Sequence, residues 1–259
     1  MLSYQHLYHA GNLADVHKHA LLAWMLAYLT QKDKPLSYIE THAGRGLYDL
    51  TAPEAQKTGE AAAGIARLRA AFAPDHPYAQ ALRNIADAHG AQAYPGSPLL
   101  AQTLLRPTDT LYLAELHPGE HAALQTALQA RNTHVLHQDG LTLAQSLCPP
   151  TPRRGLLLID PSYEVKTEYD AIPRAMAQLH RKWNVGILML WYPLLTSEAH
   201  KPMLQALAQH LPHRFRHEVR FPPIRPGHRM TGSGVYVVNP PFGLDKAAAS
   251  LATLFKACR

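Results

Sequence analysis

The chain of 259 residues predicts an α/β fold: a mostly parallel sheet with helices on both faces. Three observations carry the prediction. Short apolar runs alternate with segments of helical period, the pattern left by repeated strand–helix–strand crossovers. Polar or glycine-bearing turns follow the ends of several runs, at His42-Ala-Gly-Arg-Gly46, Glu115, Asp139-Gly140 and Asp160-Pro161-Ser162-Tyr163. The last two strand candidates have no clear helix between them, which predicts a terminal antiparallel pair.

Ala14 to Thr30 has helical period, with Leu21, Leu22, Met25, Leu26 and Leu29 on one apolar face. Pro35 precedes the first strand candidate, Leu36 to Thr41. Residues 50–92 are Ala-rich and helical, broken by Pro53, Pro74 and Pro77. They predict a helical insertion subdomain after the first strand, because the next strand arrives late. Leu99 to Leu105 is a short helix, Thr110 to Glu115 the second strand, His117 to Arg131 a helix and Thr133 to His137 the third strand. Gly155 to Ile159 is the fourth strand, followed by a helix over Tyr169–Lys182. Val185 to Trp191 is the fifth, followed by a helix around Ala199–Gln209. Arg214–Phe221 and Gly234–Val238 are the late pair, and a helix closes the chain. No internal repeat or low-complexity tract interrupts this order, so residues 1–259 are expected to form one domain containing the insertion.

Hydrophobic residues make up 47% of the chain, enough for a packed core. The net charge of +6 and pI near 9.3 point to a polyanion, RNA or DNA, as the first partner to consider. Cys148 and Cys258 are far apart and form no C-x-x-C pair, which argues against a disulfide framework. The start of the chain lacks a signal-peptide pattern, and the apolar run Ala20–Leu29 is too short to span a bilayer. A cytoplasmic protein with no membrane association is the expectation. The histidines near the start (His6, His9, His17, His19) lack a cysteine or an H-E-x-x-H pattern beside them, so no metal is expected.

A doubly wound sheet binds ligands beyond the carboxyl ends of its strands, so the polar turns are the candidate site. A dinucleotide enzyme needs G-x-G-x-x-G and an acid on the second strand; here the glycine pattern is incomplete, and His42 stands where a further glycine is expected. S-adenosylmethionine enzymes are more similar. They use a looser glycine turn (Gly44 and Gly46 here), an acid after the second strand (Glu115) and often an Asp after the third (Asp139). Either acid alone reads more readily as a helix cap; the ordered set, ending in Asp160-Pro161-x-Tyr163, reverses that. A carboxylate and a proline-fixed carbonyl can both accept from one exocyclic –NH2 group, and an aromatic ring can stack on the base. Asn239-Pro240-Pro241-Phe242 matches the amino-methyltransferase pattern more literally. It follows the last strand, however, and ranks second, as a structural turn bordering the substrate cleft.

With these residues the chain closely resembles the RlmJ family of 23S rRNA adenine-N6 methyltransferases. The opening Met1-Leu-Ser-Tyr-Gln-His through Asp15-Val-His-Lys-His19 is similar to the family's N-terminal pattern. So are Thr41-His-Ala-Gly44, Tyr94-Pro-Gly-Ser-Pro98, Glu115-Leu-His-Pro118, Arg153-Arg-Gly155, Trp191-Tyr-Pro193 and Met230-Thr-x-Ser-Gly234. The resemblance implies a class I S-adenosylmethionine-dependent methyltransferase fold, Rossmann-like with a seven-stranded sheet and a helical insertion. It implies methylation of N6 of one adenine of 23S rRNA (2030 in reference numbering) by a monomer acting on protein-free or early-assembly rRNA.

Carried over by resemblance, Lys18, His19, His42, Ser97, Glu115, Asp139, Gly140 and Asp160 contact the cofactor, with Gly44 in the turn. Tyr4, His6, Lys18 and Asp160 form the active-site set, with Pro161 and Tyr163 in the catalytic loop. The family has Pro where Ser162 stands, which loosens the loop by removing a second fixed φ. In this reading Tyr163 stacks on the extruded base, and Tyr4 and His6 close over it. Arg214, Arg216, Arg220, Arg225 and Arg229, with Arg153, Arg154 and Lys166 flanking the loop, supply phosphate contacts, and the insertion adds RNA contacts. A DNA adenine-N6 methyltransferase and a catalytically weakened RNA-binding protein remain as alternatives.

Overall fold

Asn12 opens the first helix by accepting the Asp15 amide on its side chain at 2.8 Å, satisfying one of the orphan N–H groups of a helix start. The structure, a computed structural model, describes residues 5–211, 213–222, 227 and 229–256. In that first helix, α1 (Leu13–Thr30), even the polar residues Asp15, His17, Lys18 and His19 are buried. Ionised groups persist in such surroundings only when they are paired, so the polar stripe of α1 must meet partners inside the protein.

β1 (Ser37–Glu40) leads through a glycine turn to β2 (Leu47–Asp49). Four short helices follow: α2 (Pro53–Thr58), α3 (Glu60–Ala63), α4 (Ile65–Leu68) and α5 (Pro77–His89). They end at β3 (Ala93–Pro95). β2 and β3 pair antiparallel and bracket the helical segment. Neither was expected as a strand, because three residues are too few to display alternation. α6 (Ser97–Leu104), β4 (Thr110–Ala114), α7 (Pro118–Ala127) and β5 (Thr133–Leu136) follow. α8 (Gly140–Leu147) stands where no helix was expected; Asp139 caps it, accepting the Thr142 amide at 2.8 Å. The remaining elements are β6 (Gly155–Ile159), α9 (Glu168–Lys182), β7 (Ile187–Leu195), α10 (His200–His210), β8 (Arg214–Arg220), β9 (Met230–Val238) and α11 (Leu244–Lys256).

The main sheet has seven strands in the order β5-β4-β1-β6-β7-β9-β8. The first five are parallel; β9 runs antiparallel between β7 and β8, so the helix-free late pair β8–β9 is antiparallel as expected. Leu156 and Leu158 of β6 face a core shared with α1, α5, α6 and α11, while Leu157 and Ile159 face α8, α9 and α10. Both faces of the central strands are therefore covered, and their near-continuous apolar runs follow from that. The turn after β1 lies where the strand order reverses, between β4 and β6.

Two expectations about position change. Asn239-Pro240-Pro241-Phe242 ends an antiparallel strand, so it lies at the amino edge of the parallel strands, away from the turn after β6. Asn239 donates its side-chain amide to the Asn184 and Gly186 carbonyls at 2.9 and 2.8 Å; the segment is a structural turn but does not border the cleft. Arg153 and Arg154 precede β6 and so sit at the same far edge, where Arg154 donates to the Lys34 and Leu29 carbonyls. They do not flank the catalytic loop. Among the described residues no helix is long and apolar enough to cross a membrane.

Gly155 pairs with Ser37 across β1 and β6, and a Cβ there would lie 1.9 Å from the Ser37 carbonyl oxygen. Gly155→Ala must therefore push two central strands apart. It is expected to lower stability by about 3 kcal/mol or more, read from the urea unfolding midpoint.

Candidate active site

The buried polar stripe of α1 meets its partners at the carboxyl ends of β1 and β6. Lys18 Nζ lies 2.5 Å from Asp160 Oδ2, just past β6, and 3.1 Å from Asp15 Oδ1. Burial alone would lower the Lys18 pKa; the two carboxylates outweigh it and hold the ammonium above its ordinary value. Burial likewise works to raise Asp15, but His6 and Lys18 hold it well below the usual carboxylate range. His6 Nε2 lies 2.9 Å from Asp15 Oδ2, which also accepts the Gly11 amide at 2.9 Å. His6, Asp15, Lys18 and Asp160 thus form one connected ionic chain.

This chain forms one wall of a cavity of about 400 Å³. Every expected site residue among the described ones lines it: His6, Lys18, His19, His42, Gly44, Ser97, Glu115, Asp139, Gly140, Asp160, Pro161 and Tyr163. Tyr4 lies outside the described residues. Glu115 accepts the Gly44 amide at 2.8 Å and the His117 amide at 2.7 Å, which ties the turn after β1 to the end of β4. Gly44 has φ +64°, a conformation that favours glycine. A Cβ on Gly140 would lie 1.8 Å from the Thr41 carbonyl oxygen, so the turns after β1 and β5 touch backbone to backbone. His42 shares a 2.7 Å hydrogen bond with Thr41 Oγ1, and burial lowers its pKa.

The lining is rich in acid: Asp15, Glu115, Glu120, Asp139, Asp160, Glu164 and Glu168 outnumber the lone lysine, Lys18, among the residues that line it. His19 is fully buried and pushed down to about 3 by burial, so it is neutral. Its Nδ1 meets the Tyr94 hydroxyl at 3.0 Å, and its Nε2 has no hydrogen-bond partner among the described residues. A cationic ligand with hydroxyl and amine groups suits this donor set. Among the described residues, no cluster of three or more His, Cys, Asp or Glu side chains is arranged to hold a metal ion.

A profile of the family described as "Ribosomal RNA large subunit methyltransferase D, RlmJ" matches residues 33–257. The "Ribosomal RNA large subunit methyltransferase J" of Escherichia coli (strain K12) is 39% identical over 251 residues, 95% of this chain and 90% of that protein. The chain belongs to the RlmJ family. The protein of the same name from Haemophilus influenzae is 36% identical over 95% of this chain and 89% of its own length. A crystal structure of a Legionella pneumophila protein superposes with a TM-score of 0.84 at 37% identity, covering 95% of this chain and 94% of that one. A probable spermidine synthase from Corynebacterium glutamicum, 11% identical with a TM-score of 0.51 over 92% of this chain and 70% of its own, shares the fold alone. RlmJ-family membership makes the chain an rRNA methyltransferase with the Rossmann-like class I fold, in agreement with the seven-stranded sheet.

Within this RlmJ-family site, Tyr163 corrects an expectation. It has φ +57° and is buried in the core on the α9–α10 face. Its ring is packed 4.6 Å from Tyr169, and its hydroxyl donates to the Trp191 carbonyl at 2.8 Å. It buttresses the loop from behind and does not offer a free face to a base. Ser162 also behaves otherwise than expected. Its Oγ accepts the Glu164 amide at 3.4 Å, a local turn bond that substitutes for some of the restraint a second proline would give.

Three residues were missed as site members. Asp15 gave no signal beyond a common helix-start acid. Trp191 lines the cavity but reads as the end of an apolar strand. Glu40 is fully buried beneath the site, accepting from Tyr38 at 2.8 Å and Ser97 at 2.5 Å. Ser97 lines the cavity while committing its hydroxyl to this acid. Burial pushes Glu40 up to about 8 against the two hydrogen bonds.

The raised Glu40 pKa gives a signed pH dependence. The folded state keeps a proton that the unfolded chain, with an ordinary value of 4.5, has already lost. The stabilisation is complete below that value and declines as pH rises through about 8. Glu40→Gln should flatten this decline, so its urea midpoint should gain on the wild type between roughly pH 5 and pH 8. Lys18→Met leaves two buried carboxylates without their cation and is expected to cost about 3–5 kcal/mol, measured by the same unfolding series at pH 7.

Proposed function

We propose that the chain transfers a methyl group from S-adenosylmethionine to N6 of an adenine in 23S rRNA, with Asp160 and Pro161 as the groups that hold the reacting amine. The observation that carries this is Asp160 itself, placed at the end of β6, ionically locked to Lys18 and opening into an acid-lined cavity. Membership of the RlmJ family supplies the substrate class.

Glu115, Asp139 and Gly140 would hold the ribose and adenine ends of the cofactor, with His19 and His42 beside them. When bound, the cofactor supplies an electrophilic methyl group on a sulfonium leaving group. The chain's own residues do the rest. Lys18 occupies one oxygen of Asp160, so the other oxygen serves as an acceptor for an N6–H. The Pro161 carbonyl accepts the second N6–H. Together they orient an amine whose lone pair is otherwise delocalised into the ring, and orientation of this kind contributes a large share of rate acceleration. As the N6–methyl bond forms and the methyl–sulfur bond breaks, the positive charge that grows on N6 meets the Asp160 carboxylate; the methylated N6 then releases its surplus proton to solvent.

The target base must leave its stack or be presented in a loop. Lys166 is exposed in the loop beyond Asp160. Arg220 pairs with Gly232 at the cavity end of β8 and β9, with exposed Arg229 close by; these three are the phosphate contacts this reading favours. Arg214 starts β8 at the far edge and donates to the Ala208 and Leu211 carbonyls, and Arg225 is outside the described residues. The helical segment between β2 and β3, read as an insertion subdomain, is proposed to border the RNA through its packing on the His9–Asn12 turn.

The test is labelled methyl transfer to an unmodified 23S rRNA transcript, with a DNA copy as competing acceptor. Label should appear as N6-methyladenine in RNA. Asp160→Ala should lower kcat/KM by about a thousandfold or more. Ser162→Pro should stay within about threefold of the wild type, because the turn bond at Ser162 already restrains the loop. Label in DNA alone would overturn the RNA reading. A silent wild type revived by Ser162→Pro would mean that Ser162 has disabled the enzyme.

A further inference from the structure

The cavity is polar at one end and apolar at the other, and the sheet order explains why. Glu115, His117 and Asp139 stand at the ends of β4 and β5, on one side of β1. Trp191, Pro193, Leu195 and Met230 stand on β7 and β9, on the other side. Side chains alternate along a strand, so Trp191, Pro193 and Leu195 share the face toward α1, and Met230 is the cross-strand partner of Leu195. Asp160 lies between the two ends. This divides the cavity into a cofactor half and a half suited to a flat apolar ring.

Trp191 is half-buried, unlike Tyr163, whose ring is enclosed in the core of the α9–α10 face and lies 6.0 Å from the indole centroid at a 60° tilt, bracing it. The Lys18 ammonium that holds Asp160 lies 5.8 Å from the indole centroid. The indole plane is fixed from behind. An indole N–H can only donate, so Trp191 Nε1 donates to Ser233 Oγ, 2.9 Å away. Ser233 Oγ also shares a hydrogen bond with His17 Nδ1 at 2.9 Å, and His17 Nε2 shares one with His217 Nδ1, also at 2.9 Å. Three hydrogen bonds thus link the indole from the cavity through α1 to the outermost strand of the sheet.

We propose that Trp191 is the platform on which the target adenine stacks, and that Ser233, His17 and His217 are positioning residues that hold its plane. The assignment rests on the adenine-methyltransferase reading and adds to it the residue that receives the base. Aromatic stacking on a base tolerates any base, so in this arrangement selection among bases falls to Asp160 and Pro161, which require an exocyclic amine.

The experiment uses the full chain and a 23S rRNA fragment with 2-aminopurine in place of the target adenine. Stacking on the indole should keep the probe's emission low in the wild type, and Trp191→Leu should raise it. With the natural fragment, Trp191→Leu should lower kcat/KM for RNA by about 5- to 160-fold, while the cofactor dissociation constant moves by less than about twofold. Trp191→Phe, which keeps an aromatic face, should recover most of the loss. Ser233→Ala should restore part of the probe emission with the circular dichroism spectrum unchanged. If Trp191→Leu does not fold, the wild type still decides. Trp24 and Trp183 do not line the cavity, so tryptophan emission should be quenched by RNA bearing the target adenine and not by RNA abasic at that position. Equal quenching by the two RNAs, or Trp191→Leu methylating RNA as well as wild type, overturns the assignment alone. A wild type that methylates no RNA sinks the underlying functional reading, and the assignment with it.

Discussion

A lysine that cannot be solvated holds this site together. Lys18 sits on a helix buried on nearly every side, and its charge is tolerated only because Asp160 and Asp15 both reach it. Asp15 belongs to the same helix; Asp160 comes from the end of a central strand 142 residues later in the chain. The pair therefore fixes the height of α1 against the sheet. A shift of α1 by one turn would strand a buried cation, a far larger penalty than any single packing contact offers. His6 meets Asp15 as well, so the turn that carries His6 is tied to the same pair.

The parallel sheet and its antiparallel end were legible because buried strands need continuous apolar runs and crossovers need helices. What escaped was short or locally ambiguous. β2 and β3 are three residues each, below the length at which a period can be read. α8 is eight residues ending just before a proline-rich stretch, and its capping acid was already claimed as a ligand. Asp139 does both: it caps the helix and lines the cavity, since a helix starting beside a ligand turns its capping group toward that ligand.

Site membership was more legible than side-chain direction. Spacing can say that Tyr163 follows Asp160 by three residues. It cannot say that a left-handed backbone at Tyr163 turns the ring into the core of the α9–α10 face. The place of Trp191 in the cavity was hidden for the converse reason: although Trp191-Tyr-Pro193 fits the family pattern, an aromatic residue closing an apolar strand looks like core until the neighbouring strands are ordered. Glu40 needed the fold as well: only the approach of Ser97 and Tyr38 shows why an acid is buried there.

The chain is basic overall, yet the cavity is lined with carboxylates. That inversion sorts the parts of a nucleotide. A sugar-phosphate backbone is attracted to the outside and repelled from the interior, so only the uncharged base has reason to enter. In the proposed reaction the same lining would treat the two forms of the methyl donor differently. A sulfonium is attracted to carboxylates, whereas the neutral thioether left after transfer is not. Loss of one positive charge would loosen the spent donor, giving turnover a direction without any moving part.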